Sequence, residues 1–296
     1  MNMNTGVQAV SSSAQFGRSD GNVVAERLTE NQSEEVLEFL ARRPLHAVIM
    51  SGWIREHGIV SPQHQGEFYG CWDREGTLVG VAIIGRKTLF EVRADQAIIA
   101  FARCAKMCPD IRMVFAEDSE LVLFWRHYGG VEPMPTLSRH QLITSTGCDS
   151  EEIDPVEELR TATDNDLDQI VAAHADMVFA ETGVNPLETD ADGFRMRCLR
   201  RVEDGKVWVW VKDGELIFKT DVVSVTPEAI YIEGTWVSPK ERGKGNSTRG
   251  LTTMCQRLLT GSNAICGFLD EAHTLAHALY RRSGFTGIDR YAKICL

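Results

Sequence analysis

The chain has 296 residues, of which 43% are hydrophobic and 25% charged, and its formal net charge is −11. This length accommodates two domains, and the composition is typical of a globular protein. The negative charge argues against a general nucleic-acid-binding protein, which neutralises phosphates with clustered Lys and Arg. No apolar run approaches the roughly 20 residues of a membrane-spanning helix. We therefore expect neither a nucleic-acid nor a membrane partner.

The N-terminal segment and the cysteines give two further expectations. Residues 1–22 are rich in Ser, Asn and Gly without an apolar core, which predicts a flexible tail rather than a secretion signal. Only Cys104 and Cys108 lie close together among the 8 cysteines. Without a Cys-x-x-Cys pair, this pattern indicates buried reduced thiols, no metal site and a cytoplasmic protein.

An acidic, polar stretch containing Gly147 and Pro155 divides the chain nearly in half. Such a composition is typical of a linker. The sequence therefore predicts four segments: a flexible tail at 1–22, a first domain at 23–143, a linker at 144–157 and a second domain at 158–296.

In the first half, hydrophobic periodicity predicts alternating helices and strands. The predicted helices are 33–43, 46–57, 94–107 and 120–128, and the predicted strands are 67–72, 78–84 and 111–116. No glycine-rich turn precedes the helix that begins at Ala94. This half therefore shows an α/β order without a phosphate-binding loop.

In the second half, the same reasoning predicts the order β-α-α-β-β-β-α-β-α-β. The predicted helices are 164–174, 187–202, 247–259 and 272–282, and the predicted strands are 159–163, 207–211, 216–225, 230–237, 264–269 and 291–296.

The most informative segment lies between the strand 230–237 and the helix that begins near Ser247. Residues 242–247 read Arg-Gly-Lys-Gly-Asn-Ser. The two glycines let backbone N–H groups approach a bound anion, and a helix N-terminus adds unpaired donors and the positive end of the peptide dipole. The segment therefore predicts a phosphate-binding loop.

Two common nucleotide-binding loops fit this segment poorly. A Walker-type loop requires Gly-Lys-Ser/Thr, whereas Gly245 follows Lys244 here. The dinucleotide fingerprint requires a third glycine where the chain has Thr248, and it places its glycines directly at the strand end. Asp270, at the end of the next strand, is the one feature that supports dinucleotide binding. That alternative predicts binding of NAD(H).

The segment resembles the acyl-CoA motif of the GNAT N-acetyltransferase superfamily, Arg/Gln-x-x-Gly-x-Gly/Ala, with Ser247 at the last position. Residues 276–285, Ala-His-Ala-Leu-Tyr-Arg-Arg-Ser-Gly-Phe, resemble a second motif of the family, Ala-x-x-Leu-Tyr-x-x-x-Gly-Phe. The two motifs are separated by one helix and one strand, as in the family. The resemblance covers about 159–296, and the first half resembles a degenerate unit of the same kind.

The resemblance implies an α/β (α+β) fold of two GNAT-like units, each a mixed, mostly antiparallel sheet flanked by helices. It also implies an N-acyltransferase that transfers an acetyl group from acetyl-CoA to the amine of a small molecule or protein, by direct attack on the thioester and without a metal. The alternative is a non-catalytic acyl-CoA-binding sensor or scaffold. The sequence indicates neither the acceptor nor the oligomeric state.

The resemblance further implies a donor cleft between the strands 230–237 and 264–269. Backbone groups near Trp236, Val237 and Ser238 would pair with the pantetheine amides, as an added strand does. His273 occupies a position where many members have an Asn that contacts the pantetheine arm. The pyrophosphate would be bound by the loop residues Arg242, Gly243, Lys244, Gly245, Asn246, Ser247 and Thr248.

Two residues are candidates for acid–base catalysis. Tyr280 matches the family's tyrosine near the thioester sulfur, where a phenol protonates the leaving thiolate. Glu233 is the only carboxylate within the strand 230–237, and strand alternation predicts that it shares a face with Tyr231 and Thr235. Its apolar neighbours in the sequence favour a general base that works directly or through water.

Overall fold

The computed structural model describes residues 23–147 and 153–296. The predicted tail at 1–22, and residues 148–152 of the predicted linker, lie outside the described residues. The predicted domain boundaries remain a prediction. Within the described ranges, no helix is both long and apolar enough to cross a membrane.

The first half contributes six strands and four α-helices to the described structure. They are β1 (Val24–Arg27), α1 (Ser33–Ala41), α2 (Pro44–His57), β2 (Gly66–Trp72), β3 (Leu78–Gly85), β4 (Lys87–Val92), α3 (Asp95–Ala105), β5 (Met113–Glu117), α4 (Asp118–Tyr128) and β6 (Ser138–Ser145). Pro44 fits the first turn of α2 because that position needs no N–H donor. The sequence did not predict β4, which is buried along almost its whole length and so lacks alternation, nor the polar β6.

The second half contributes six strands and five α-helices. They are β7 (Arg160–Thr161), α5 (Leu167–Thr182), α6 (Pro186–Thr189), α7 (Ala191–Glu203), β8 (Val207–Lys212), β9 (Glu215–Val225), β10 (Ile230–Val237), α8 (Asn246–Leu258), β11 (Ile265–Asp270), α9 (Thr274–Arg282) and β12 (Thr286–Cys295). The predicted helix 187–202 is in fact two helices, because the Asp190 side chain caps α7 by accepting from the N–H of Gly193. The first predicted helix continues to Thr182, and the last strand begins at Thr286.

All twelve strands form one continuous sheet in the order β1-β2-β3-β4-β5-β12-β6-β11-β10-β9-β8-β7. Two neighbouring pairs are parallel, β4–β5 and β10–β11, and the others are antiparallel. The predicted mixed, mostly antiparallel sheet with flanking helices is confirmed. The sequence did not predict that the halves exchange strands: β12 lies between β5 and β6, and β6 pairs with β11.

Helices cover both faces of the sheet, and the first half also covers part of the second. The Ser224 hydroxyl of β9 donates to the carbonyl of Val48 in α2 at 2.7 Å. The same hydroxyl leaves no room for a Cβ at Gly52 of α2. α2 therefore packs closely on the strand that lies next to β10.

Candidate functional site

The parallel strands β10 and β11 separate soon after they begin. They pair only through Ile230 with Ile265 and Tyr231 with Cys266. Beyond these residues β11 continues to pair with β6 along its full length, whereas β10 pairs with β9 alone. Within residues 23–147 and 153–296, the edge of β10 from Glu233 to Val237 therefore has no strand partner, and an extended ligand can add to such an edge.

A β-bulge at Gly234 changes the direction of the side chains that follow it. Glu233 pairs with Asp221 and Trp236 pairs with Lys219, so two residues of β10 oppose one residue of β9. Gly234 has a φ of 66°, in the left-handed region that favours glycine. The predicted shared face of Glu233 and Thr235 is therefore wrong, because the extra residue turns Thr235 toward Tyr280 on the opposite face.

The glycine loop between β10 and α8 is held by side chains of its own residues. Gly243 and Gly245 have φ values of 76° and 81°. The Glu241 carboxylate accepts from Lys244 Nζ at 2.9 Å and from Asn246 Nδ2 at 2.8 Å, and this hydrogen bonding with Lys244 lowers the pKa of Glu241. The Arg242 side chain donates to the carbonyl of Val237 at 3.2 Å.

This arrangement leaves a row of backbone donors free. Among the described residues, none of the backbone N–H groups from Gly243 to Thr248 has a protein acceptor, and the first helical bond runs from Arg249 to Gly245 at 3.1 Å. Unpaired N–H groups at a helix N-terminus fit a phosphate or pyrophosphate group. The loop thus has the donors that the sequence predicts for it, and the binding roles of its residues remain a prediction.

Tyr280 of α9 is buried beside the point where β10 and β11 separate. Its hydroxyl lies 2.9 Å from Oγ1 of Thr235, which itself lies 2.9 Å from Oγ1 of Thr220. The Phe285 ring packs edge-on against the Tyr280 ring, with 5.0 Å between the two ring centroids. Burial raises the pKa of Tyr280 to about 12. The phenol therefore keeps its proton at neutral pH and can act as a hydrogen-bond donor or acid.

Glu233 does not lie in the apolar surroundings that the sequence predicts. Its side chain is 42% exposed, and Arg201 of α7 lies 3.8 Å from it. The Tyr231 hydroxyl donates to the other carboxylate oxygen at 3.3 Å. Arg201 also forms a 2.8 Å ion pair with the buried Asp221. The expectation of apolar neighbours is therefore wrong, because the helix that covers this part of the sheet supplies a guanidinium.

The remaining predicted residues lie around the same opening. Trp236 and Val237 form the end of β10, and Ser238 follows with its N–H bonded to the carbonyl of Ile217. His273 is the exposed residue before α9, and its N–H bonds to the carbonyl of Asp270. The carboxylate of Asp270 already accepts from Ala272 and Ser138, so the acid that a dinucleotide site would need is used within the protein.

Several polar neighbours of the site were not predicted from the sequence. They are Arg201, Lys219, Thr220 and Asp221. The available signal was the run Lys-Thr-Asp at 219–221 inside the strand 216–225, whose other residues are apolar except Ser224. Three consecutive polar residues in such a strand indicate buried partners on both faces.

Residues 173–285 match the model of the acetyltransferase (GNAT) family. No curated protein matches the chain.

Three solved structures share the fold of nearly the whole chain. A GNAT-family acetyltransferase from Colwellia psychrerythraea has a TM-score of 0.57 at 12% identity over 91% of this chain and 98% of its own. A tandem GNAT protein from the clavulanic acid biosynthesis pathway has a TM-score of 0.57 at 14% identity, over 92% of this chain and 98% of its own. A Drosophila protein has a TM-score of 0.66 at 14% identity, over 93% of this chain and 99% of its own. At these identities the likeness shows the fold alone.

Proposed function

We infer that this chain, whose residues 173–285 form a GNAT-family domain, transfers an acyl group from acyl-CoA to an amine, with acetyl-CoA as the donor. The observation that carries this proposal is the row of unpaired N–H groups from Gly243 to Thr248 beside the open edge of β10. The family match and the tandem GNAT fold support it.

In this proposal the donor lies along the open edge of β10. The N–H groups of the glycine loop bind the pyrophosphate, with Arg242 and Lys244 adding positive charge nearby. Backbone groups of Trp236 to Ser238 pair with the pantetheine amides in the manner of an added strand. His273, at the start of α9, borders the same opening.

In this proposal the base is Glu233, directly before the bulge, and the acid is Tyr280, whose hydroxyl contacts Thr235 directly after Gly234. The bound thioester supplies the activated acyl group and the thiolate leaving group. Glu233 accepts a proton from the acceptor ammonium, which leaves a neutral amine able to attack the acyl carbon. As the carbon–sulfur bond breaks, Tyr280 gives its proton to the sulfur. The attacking nitrogen loses its second proton as the amide forms, and this proton restores the Tyr280 hydroxyl, while the proton on Glu233 passes to solvent.

The first half forms part of the wall around the acceptor. α2 lies on β9 next to β10, and Lys206, directly before β8, forms a 2.5 Å ion pair with Glu56 of α2. The acceptor therefore approaches Glu233 beside a surface built from both halves.

Native mass spectrometry of the purified protein with acetyl-CoA and with NAD tests the donor. We expect one acetyl-CoA per chain and no NAD above background. Binding of NAD without acetyl-CoA supports the dinucleotide alternative, and binding of neither contradicts the proposal at its first step.

Turnover separates an enzyme from a sensor or scaffold that binds acyl-CoA. Release of free CoA is measured with a panel of small amines and Lys-containing peptides. We expect Glu233→Gln to lower turnover, and Glu75→Gln, the matched control in a turn of the first half, to leave turnover unchanged. Acetyl-CoA binding without turnover on any acceptor favours the sensor.

A further inference from the structure

Three consecutive polar side chains in the middle of β9 are buried beneath the proposed site. Lys219 and Thr220 are 0% exposed and Asp221 is 2% exposed. Burial of such groups is costly unless each finds a partner. Because strand side chains alternate, Lys219 and Asp221 point to one face and Thr220 points to the other.

On one face, Lys219 and Asp221 support the backbone of the bulge. Their side chains form a 2.9 Å ion pair, and Lys219 Nζ donates to the carbonyl of Gly234 at 3.1 Å. A Cβ at Gly234 would lie 3.3 Å from Asp221 and 3.4 Å from Lys219, so the pair lies directly against the bulge. The geometry of the bulge therefore depends on this pair.

The same ion pair extends to the Glu233 carboxylate. The second oxygen of Asp221 accepts from Arg201 at 2.8 Å, and Arg201 lies 3.8 Å from Glu233. Asp221 thus fixes the guanidinium that faces Glu233. We therefore expect removal of the Lys219 or the Asp221 charge to shift the Arg201 guanidinium and to weaken its attraction for the Glu233 carboxylate.

On the other face, Thr220 begins a row of hydroxyl groups that ends at Tyr280. Thr220 Oγ1 donates to the carbonyl of Glu233 at 3.2 Å and contacts Thr235, which contacts Tyr280. Each hydroxyl can give one hydrogen bond and accept others. When Tyr280 gives its proton to the thiolate, both threonine hydroxyls can turn so that Thr235 donates to the phenolate that forms.

We propose that three residues of β9, Lys219, Thr220 and Asp221, are positioning residues. Together they hold the base, Glu233, and the acid, Tyr280, in place. Lys219 and Asp221 fix the bulge and, through Arg201, the Glu233 carboxylate. Thr220 orients the Tyr280 hydroxyl through Thr235. This inference rests on the proposed function for its catalytic meaning, whereas the support of the bulge can be measured without turnover.

Substitution of Thr220 tests the hydroxyl row. Thr220→Val keeps the shape of the side chain and removes its hydroxyl, and Thr220→Ser restores the hydroxyl. We expect Thr220→Val to lower kcat about 10-fold while the KM for acetyl-CoA changes less than about 2-fold, and Thr220→Ser to recover most of the loss.

Ser224→Ala is the matched control on the same strand. The Ser224 hydroxyl is also buried and hydrogen-bonded, but it faces α2. Its removal is expected to leave kcat unchanged. A kcat for Thr220→Val equal to that of the wild type, or a loss of the same size in Ser224→Ala or in Thr220→Ser, overturns the role of Thr220.

Hydrogen exchange measures the bulge in the free protein. We expect Lys219→Met and Asp221→Asn to accelerate amide exchange at least about 5-fold in the peptide that contains Gly234 to Val237, and to leave peptides from β12 unchanged. Asp221→Asn keeps the bond from Lys219 to Gly234 and is the milder change, so it serves if Lys219→Met does not fold.

The two experiments separate the two proposals. Absence of transfer by the wild-type protein contradicts the proposed function. Exchange at the bulge that is the same in both variants as in the wild type contradicts the positioning role, whether or not the protein transfers acyl groups.

Discussion

Each half of the molecule contains a parallel strand pair that separates after a few residues, and the two pairs differ in what fills the opening. In the first half, β4 pairs with β5 from Lys87 to Leu89 and then leaves it. A glutamate lies two residues beyond the last pair in both halves, Glu91 in β4 and Glu233 in β10. Glu91 is 3% exposed, whereas Glu233 is 42% exposed.

Ion pairs close the opening of the first half. Arg43 lies 3.2 Å from Glu91 and 2.6 Å from Glu117, and Arg93 folds back onto Glu91 from the other side. Only Arg93 and Ala94 connect β4 to α3, and the N–H of Arg93 is bonded to the carbonyl of Val79 at 2.7 Å. Among the described residues, the Ala94 N–H is the one backbone donor of this short connection that has no protein acceptor, compared with six such donors from Gly243 to Thr248.

The second half has the longer connection 238–245, with two left-handed glycines. Strand order alone therefore does not make a binding cleft. The same pair of diverging strands becomes a candidate site when the loop after it frees backbone donors, and becomes part of the core when charged side chains fill the gap. Four experiments test this difference between the two halves.

The largest effect is expected for Tyr280→Phe. In the middle of α4, the first half has Phe124 and Trp125, which offer no hydroxyl group. Loss of the acid should lower kcat roughly 10²–10³-fold, with the affinity for acetyl-CoA nearly unchanged. Steady-state kinetics and calorimetric titration check this, with Tyr69→Phe in β2 as the control. A kcat within about 3-fold of the wild type would falsify the role of Tyr280.

The next largest effect is expected for Arg43→Met, which leaves Glu91 buried with one partner fewer. We expect the free energy of unfolding to fall by about 3 kcal/mol, with no change in acetyl-CoA affinity. Urea denaturation and calorimetry measure the two quantities. Arg27→Met, which breaks the exposed pair with Glu67, should cost less than about 1 kcal/mol. Weaker acetyl-CoA binding by Arg43→Met would mean that the first cleft also takes part in binding.

A smaller effect is expected from His174, which lies under the second cleft. Burial, with Lys219 and Arg201 nearby, lowers the pKa of His174 from 6.5 to about 4. The unfolded chain therefore binds the proton more readily, and the stabilising contribution present above pH 6.5 is lost as the pH falls toward 4. Between pH 7.5 and 5 this amounts to about 2 kcal/mol.

His174→Gln should remove that pH dependence. Urea denaturation of the wild type and of the variant at the two pH values gives the difference directly. If the free energy of unfolding falls by the same amount in both proteins between pH 7.5 and 5, then His174 does not contribute to the loss of stability in acid.

The smallest effect is expected for Gly245→Ala. Gly245 and Gly76, the latter in a turn of the first half, both have a φ of 81° and no neighbouring atom within 4 Å of an added Cβ. Each Ala variant should lose about 1 kcal/mol of stability from left-handed strain. Only Gly245→Ala should also weaken acetyl-CoA binding, by about 5- to 10-fold. Equal binding by both variants would argue against the loop as the phosphate site.

Local patterns in the sequence predicted the elements around the glycine loop well. The three strands before the loop were predicted to within one residue, because apolar runs bounded by turns are local signals. The unpaired N–H groups from Gly243 to Thr248 follow from the same signals, since two glycines and a helix start lie side by side in the chain.

Features that depend on distant partners were not predicted. The left-handed residue Gly234 forms a bulge, which places the Thr235 side chain on the opposite face of the sheet from the one predicted. The alternation of side chains in a sequence does not reveal where a bulge will occur. The guanidinium of Arg201 reaches Glu233 from a separate helix, so the sequence around Glu233 holds no trace of it. The pairing of β6 from the first half with β11 and β12 from the second half likewise cannot be predicted from a local pattern.

That exchange has a consequence for how the chain folds during synthesis. β12 pairs with β5 on one side and β6 on the other, so the first half leaves the ribosome with a gap in its sheet. The gap stays open until residues 286–295 emerge, and meanwhile two strand edges are exposed to wrong partners. A fragment that stops before Thr286 cannot complete either half. We therefore expect the two halves to fold in one slow, cooperative step rather than as independent domains.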